Sequence, residues 1–77
     1  MAAVLTEEDL KDKAIAYLKQ AYDEDTVWMK VQDNGVEGES GTLHVECRVR
    51  IGGAESDWTK WFSFEGGAVT GMRWKAH

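Results

Sequence analysis

Few residues in this chain are of a type that does chemistry: one cysteine, two histidines, a lysine within an apolar-phased segment, and scattered carboxylates. Cys47 and His44 stand three apart, the first pair to weigh as nucleophile and base. On an extended strand that spacing sends them to opposite faces, so Cys47 reads as a small core residue instead. A closed zinc site takes four ligands, and Cys47 with His44 and His77 falls one short. Asp23, Glu24, Asp25, Asp33, Glu37 and Glu39 lack the ligand spacing of a calcium loop and read as solvated charge. The glycine pairs Gly52-Gly53 and Gly66-Gly67 precede strand-like runs, where they cradle no phosphate. Gly-x-Ser-x-Gly, P-loop and metalloprotease motifs are absent. The expectation is recognition rather than catalysis, with no metal and no cofactor.

Any such chemistry must be positioned by a small scaffold. A chain of 77 residues makes one domain. At that size it buries only about 60% of the surface exposed when unfolded, so its core is thin. One cysteine excludes an intrachain disulfide, leaving aromatic packing or oligomerisation as compensation, and four tryptophans suit either. The apolar start, residues 1–5, is short for a signal segment and lacks a basic lead. No run approaches the roughly 20 apolar residues of a membrane span. With a free thiol, this leads us to expect a cytoplasmic domain without a membrane partner. The net charge is −5, and it is uneven. Residues 1–41 carry four Lys/Arg against ten Asp/Glu, and residues 42–77 carry five against four. The overall sign makes nucleic acid an unlikely partner, since that binding rests on neutralising phosphates.

The spacing predicts an α+β fold, one N-terminal helix packed on a four-stranded antiparallel meander sheet. The helix covers about 6–22. Thr6 caps it, Asp9 returns the capping-box bond, and Leu5 with Leu10 forms a staple. Leu10, Ala14, Tyr17, Leu18 and Ala21 recur at helical spacing. Strands are expected at about 26–32, 42–51, 54–65 and 68–75, with residues 33–41 as a loop. Val27, Met29 and Val31 alternate with Trp28, Lys30 and Gln32, and Leu43, Val45, Cys47, Val49 and Ile51 alternate with His44, Glu46, Arg48 and Arg50.

A two-residue turn at Gly52-Gly53 fixes a register in which Ile51 faces Ala54. Arg50 then meets Glu55 and Arg48 meets Asp57 on the outer face, while Cys47 meets Trp58 and Leu43 meets Phe62 on the inner. The second turn, Gly66-Gly67, is expected as a three-residue loop with a glycine bulge. That pairs Phe62 with Met72 and brings Trp74 to the core face.

Two surfaces follow from these registers. On the outer face His44 lies beside Trp61 and Trp61 beside Arg73, with Trp28 and Lys30 extending the row if the first strand joins the second from the far side. Its ordinary reading is cross-strand packing with Arg73 over Trp61; its functional reading is a surface for a protein partner or a second copy. On the inner face Lys60 is either a side chain that snorkels past the helix edge or a buried amine in a pocket lined by Tyr17, Trp58 and Trp74. Single-stranded nucleic acid stacked on Trp61 ranks third, because Arg48 and Arg50 are neutralised by their acidic neighbours.

The stretch from Trp61 to Trp74, an aromatic strand, an acidic-glycine turn and a strand with arginine before an aromatic, resembles the closing hairpin of NTF2-like (SnoaL-like) domains. The one-helix, four-strand order resembles the wider cystatin-like group. That resemblance implies a bent sheet and dimerisation through a sheet face. It carries no catalytic residue onto this chain, which is shorter than a full NTF2-like domain and lacks its extra helices.

Overall fold

The computed structural model describes residues 5–77. Residues 1–4 of the apolar start lie outside them. The helix α1 spans Glu7–Tyr22 and is followed by strands β1 (Asp25–Asn34), β2 (Gly41–Ile51), β3 (Ala54–Glu65) and β4 (Ala68–Ala76). The strands form one antiparallel sheet in the order β1-β2-β3-β4, with α1 packed on one face: an α+β meander.

Local chemistry sets both ends of α1. Thr6 Oγ1 accepts from the Asp9 amide at 3.1 Å, and the Asp9 carboxylate accepts from the Thr6 amide at 2.9 Å. These bonds hold the Asp9 carboxyl below the usual carboxylate range. At the other end Asp23 is left-handed (φ 54°), its amide donates to Lys19 O, and the Glu24 amide donates to Leu18 O. The bond from the Asp23 amide to the carbonyl four residues back makes this an αL-type closure, with aspartate where glycine is usual. It reverses the chain abruptly and sets the position of Glu24.

The core is formed by Leu10, Ala14 and Leu18 of α1 against Met29, Leu43, Val45, Cys47, Val49, Phe62 and Phe64 of the sheet. The β2–β3 register is the expected one from Ile51↔Ala54 to Gly41↔Phe64. Arg48 Nε donates to Asp57 Oδ1 at 2.7 Å and Arg50 Nη2 to Glu55 Oε2 at 2.6 Å. The hydrogen bonds from Arg48 keep the Asp57 carboxyl below its ordinary value.

Three expectations need correction. First, β1 runs further than 26–32 and leaves a shorter loop, closed by a Glu37↔Ser40 bridge. At the base of that loop Gly41 (φ 140°) permits no side chain: a Cβ there would lie 2.2 Å from Gly35 O. Second, β1 carries register shifts between Thr26 and Trp28 and between Val31 and Asp33. Val27 therefore stands outside the pairing and is exposed, while Thr26 takes the position opposite Val49. An unpaired residue in one strand has this effect on its neighbours' faces.

Third, the β3–β4 bulge is displaced from the turn. Gly66-Gly67 makes a two-residue turn with Glu65↔Ala68 and Phe64↔Val69, and the shift falls just after, before Ser63↔Gly71. Thr70 is the extra residue, and Phe62↔Met72, Trp61↔Arg73 and Lys60↔Trp74 follow. A bulge of one residue anywhere before Met72 produces those pairs, so the faces come out as expected although the turn does not.

Burial pushes the Cys47 thiol up to about 11. A thiol raised in the folded state contributes stability that is complete below its unfolded value, about 8.5. That contribution is lost as pH climbs through the folded value. Urea midpoints for the wild type should fall between pH 9 and 11 more steeply than for Cys47→Val, and parallel curves would refute a buried thiol.

Candidate functional site

The inner face of the sheet is longer than the helix that covers it. Sixteen residues of α1 rise about 24 Å, whereas the twelve residues of β3 extend about 40 Å. The helix starts near the Gly66-Gly67 turn, where Leu5 approaches Gly67, and ends near Lys60 and Trp74. Beyond it the apolar alternation of the strands continues without a cover.

The result is a cleft of about 260 Å³ lined by Tyr22, Glu24, Ile51, Trp58, Lys60, Met72 and Trp74. Tyr22 meets Trp74 edge-on with ring centroids 6.5 Å apart. Ile51, in phase with the buried Cys47 and Val49, and Trp74, in phase with the half-buried Met72, remain 48% and 55% exposed because the helix stops short of them.

Where α1 ends, an ion pair closes the core. Lys60 Nζ donates to Glu24 Oε1 at 3.0 Å, with Lys60 only 2% and Glu24 8% exposed. The same ammonium stands 5.1 Å from the centroid of the Trp58 ring, a cation–π contact. Trp58 in turn donates from Nε1 to Ser56 Oγ at 2.8 Å. Lys60 is held inward: of its two sequence readings, the buried amine is the one found, and the snorkelling one is set aside. The backbone turn at the helix end explains why. The left-handed turn at Asp23 aims Glu24 at the sheet, so the lysine finds a carboxylate before it finds water.

Glu24 departs from the solvated charge expected of residues 23–25: Asp23 and Asp25 are exposed and bridge to Lys19, while Glu24 is buried. The signal that points to it is Lys60 itself. A lysine in phase with Trp58 and Phe62 requires an acid, and the acidic triplet after the helix is the nearest supply. Tyr22 also lines the cleft outside the expected pocket, since helical spacing shows only that it ends the helix.

Tyr17 does not line this cleft. It packs edge-on to Phe62 at 6.4 Å and borders a separate groove with Lys13, Ala16, Gln20, Ala68 and Val69. The expected pocket of Tyr17, Trp58, Lys60 and Trp74 is thus divided, with three of its members in the cleft and Tyr17 one turn away.

On the outer face His44, Trp61 and Arg73 form the expected row, and Asp33 extends it from β1. The His44 and Trp61 rings are stacked, 5.1 Å between centroids and 11° between planes. Trp61 gives its face to the imidazole and not to Arg73. Trp28 and Lys30 do not prolong this row: they pair with Arg48 and Glu46, further along the same face. Among the described residues no cluster of three or more His, Cys, Asp or Glu is arranged to hold a metal ion. No helix there is long and apolar enough to cross a membrane.

No family model, curated protein or solved structure matches the chain.

Removing one partner of a buried pair strands the other. Lys60→Met should destabilise the fold by about 3 kcal/mol in urea titrations. The double variant Lys60→Met/Glu24→Leu should lose less than Lys60→Met alone, since nothing charged is then left behind. A double variant less stable than either single one would overturn this account of the ion pair.

Proposed function

We propose that this is a non-catalytic binding domain that receives an apolar group of its ligand in the cleft at the end of α1. The observation that carries this reading is the gathering of Tyr22, Ile51 and Trp74, all exposed, around one concave apolar site. Scattered apolar residues on a surface are ordinary, but a contiguous concave set of them marks a binding site.

Size narrows the ligand. At about 260 Å³ the cleft falls below the roughly 300–1,000 Å³ of sites that enclose a drug-sized molecule. A cavity of about 150 Å³ holds a benzene ring. The cleft therefore suits one bicyclic ring or one large side chain, and the remainder of the ligand lies outside it. The ion pair at its floor is neutral as a unit and adds polarity without a net charge. Lys60 is occupied by Glu24 and Trp58, and Cys47 is in the core with its thiol protonated, which supports binding over nucleophilic chemistry.

The outer face supports a second reading, recognition of a protein partner or of a second copy around His44, Trp61 and Arg73. What favours it is the flat stack of His44 on Trp61, a rigid ring surface beside an arginine that no carboxylate of the described residues engages. Tryptophan and arginine are the residues most enriched at interface hot spots. Nucleic acid is less well supported, because Arg48 and Arg50 are held by Asp57 and Glu55.

Indole titrated into the labelled protein should shift the NMR signals of Tyr22, Trp58 and Trp74. Trp74→Ala should weaken it about tenfold, the effect of truncating a central anchor, while Trp28→Ala leaves it unchanged. Shifts centred on His44 and Trp61 would move the site to the outer face. The second reading has its own measurement: sedimentation should give a dimer that Trp61→Ala converts to monomer, and a wild-type monomer would remove self-association.

A further inference from the structure

We propose that the open edge of β4 binds an extended peptide whose side chains alternate apolar and acidic, with one apolar side chain seated in the cleft. The inference rests on the cleft reading above and adds the class of ligand.

The edge is free along its length. β4 pairs with β3 alone, so the backbone donors and acceptors on its other side have no strand partner among the described residues. Its nine residues contain no proline to interrupt an added strand. A peptide laid on such an edge gains main-chain hydrogen bonds, and its alternate side chains then choose between the two faces of the sheet.

The two faces beside β4 differ in chemistry. On the inner side the helix leaves two hollows along the strand. One is the cleft at Met72 and Trp74; the other, of about 240 Å³, lies at Ala68 and Val69 against Ala16 and Tyr17. From Val69 to Trp74 is about 16 Å of strand, the reach of a five- or six-residue segment. On the outer side β4 presents Arg73 and Lys75, and no carboxylate of the described residues lies within ion-pair distance of either. An added strand would therefore place apolar side chains inward, over the hollows, and acidic ones outward, beside the two cations.

The same charges argue against a second copy as the occupant. Two β4 strands joined antiparallel about a two-fold axis at Trp74, the register that brings the two clefts together, set Arg73 of each copy opposite Lys75 of the other, and like charges facing each other across strands are destabilising. Cationic residues on an edge are a means by which sheets avoid pairing with themselves. An acidic peptide turns that repulsion into attraction.

The test uses the full chain and a blocked hexapeptide in which valine, tryptophan and valine alternate with glutamate, the tryptophan being the side chain for the cleft. Binding should shift the amides of Met72, Trp74 and Ala76, which alternate with those bonded to β3 and so face the open edge, together with the Trp74 indole. Replacing the glutamates by lysine should weaken it at least tenfold. Two N-methylated versions, methylated on one or the other set of alternate residues, separate edge pairing from simple hydrophobic contact. A strand uses one of its two edges, so one version should lose binding and the other retain it. Equal binding of both versions, or equal binding of the glutamate and lysine peptides, overturns the proposal. If indole still occupies the cleft while the glutamate peptide fails to bind, the edge proposal falls and the cleft reading stands. If indole also fails, both fall. Arg73→Glu with Lys75→Glu should reverse the preference toward the lysine peptide, and an unchanged preference would likewise refute it.

Discussion

The mismatch in length between one helix and the strands beneath it governs this molecule. An α-helix advances about 1.5 Å per residue and a strand about 3.3 Å, so a helix must be more than twice as long as a strand to cover it. Here the helix has 16 residues and the strands 9 to 12. The uncovered stretch of inner face cannot become polar at once, because its residues belong to strands whose alternation continues from the core. Ile51, Trp58, Met72 and Trp74 are the consequence.

The Lys60–Glu24 pair stands at the boundary between the covered and uncovered parts. It replaces apolar packing at the point where the helix ends, and the indole of Trp58 shields its cation. Burying two charges is costly, and their mutual attraction offsets that cost without a large surplus. The pair is therefore weak evidence of stabilisation and better evidence of specification. It ties the residue after the left-handed Asp23 turn to the third strand, and so sets where the chain leaves the helix to begin β1.

Much of the fold was legible because several independent signals agreed on it. The capping box at Thr6 and Asp9, the turn at Gly52-Gly53 and the charge complementarity of Arg48 with Asp57 and Arg50 with Glu55 are local features, each readable within a few residues or across one tight turn. The bulges in β1 and the displacement of the second bulge to Thr70 were not legible. A bulge adds one residue to one strand, and nothing in the composition of Val27, Gln32 or Thr70 marks it; only the partner strand shows that a residue has been left out of the pairing. The candidate site was half legible for a similar reason. Trp58, Lys60 and Trp74 follow from β3–β4 register, whereas Glu24 and Tyr22 come from the far end of the helix.

Alternation, turn chemistry and capping by themselves determined the element order, the β2–β3 register and the division of side chains between two sheet faces in β2 and β3, because these depend on contacts close along the chain or mirrored across a turn. Which carboxylate meets Lys60, where the helix stops on the sheet, and whether Trp74 is covered were decided by tertiary structure alone. Those outcomes depend on the direction in which α1 crosses the strands, and that direction is set by packing of the whole core, not by any short segment of it.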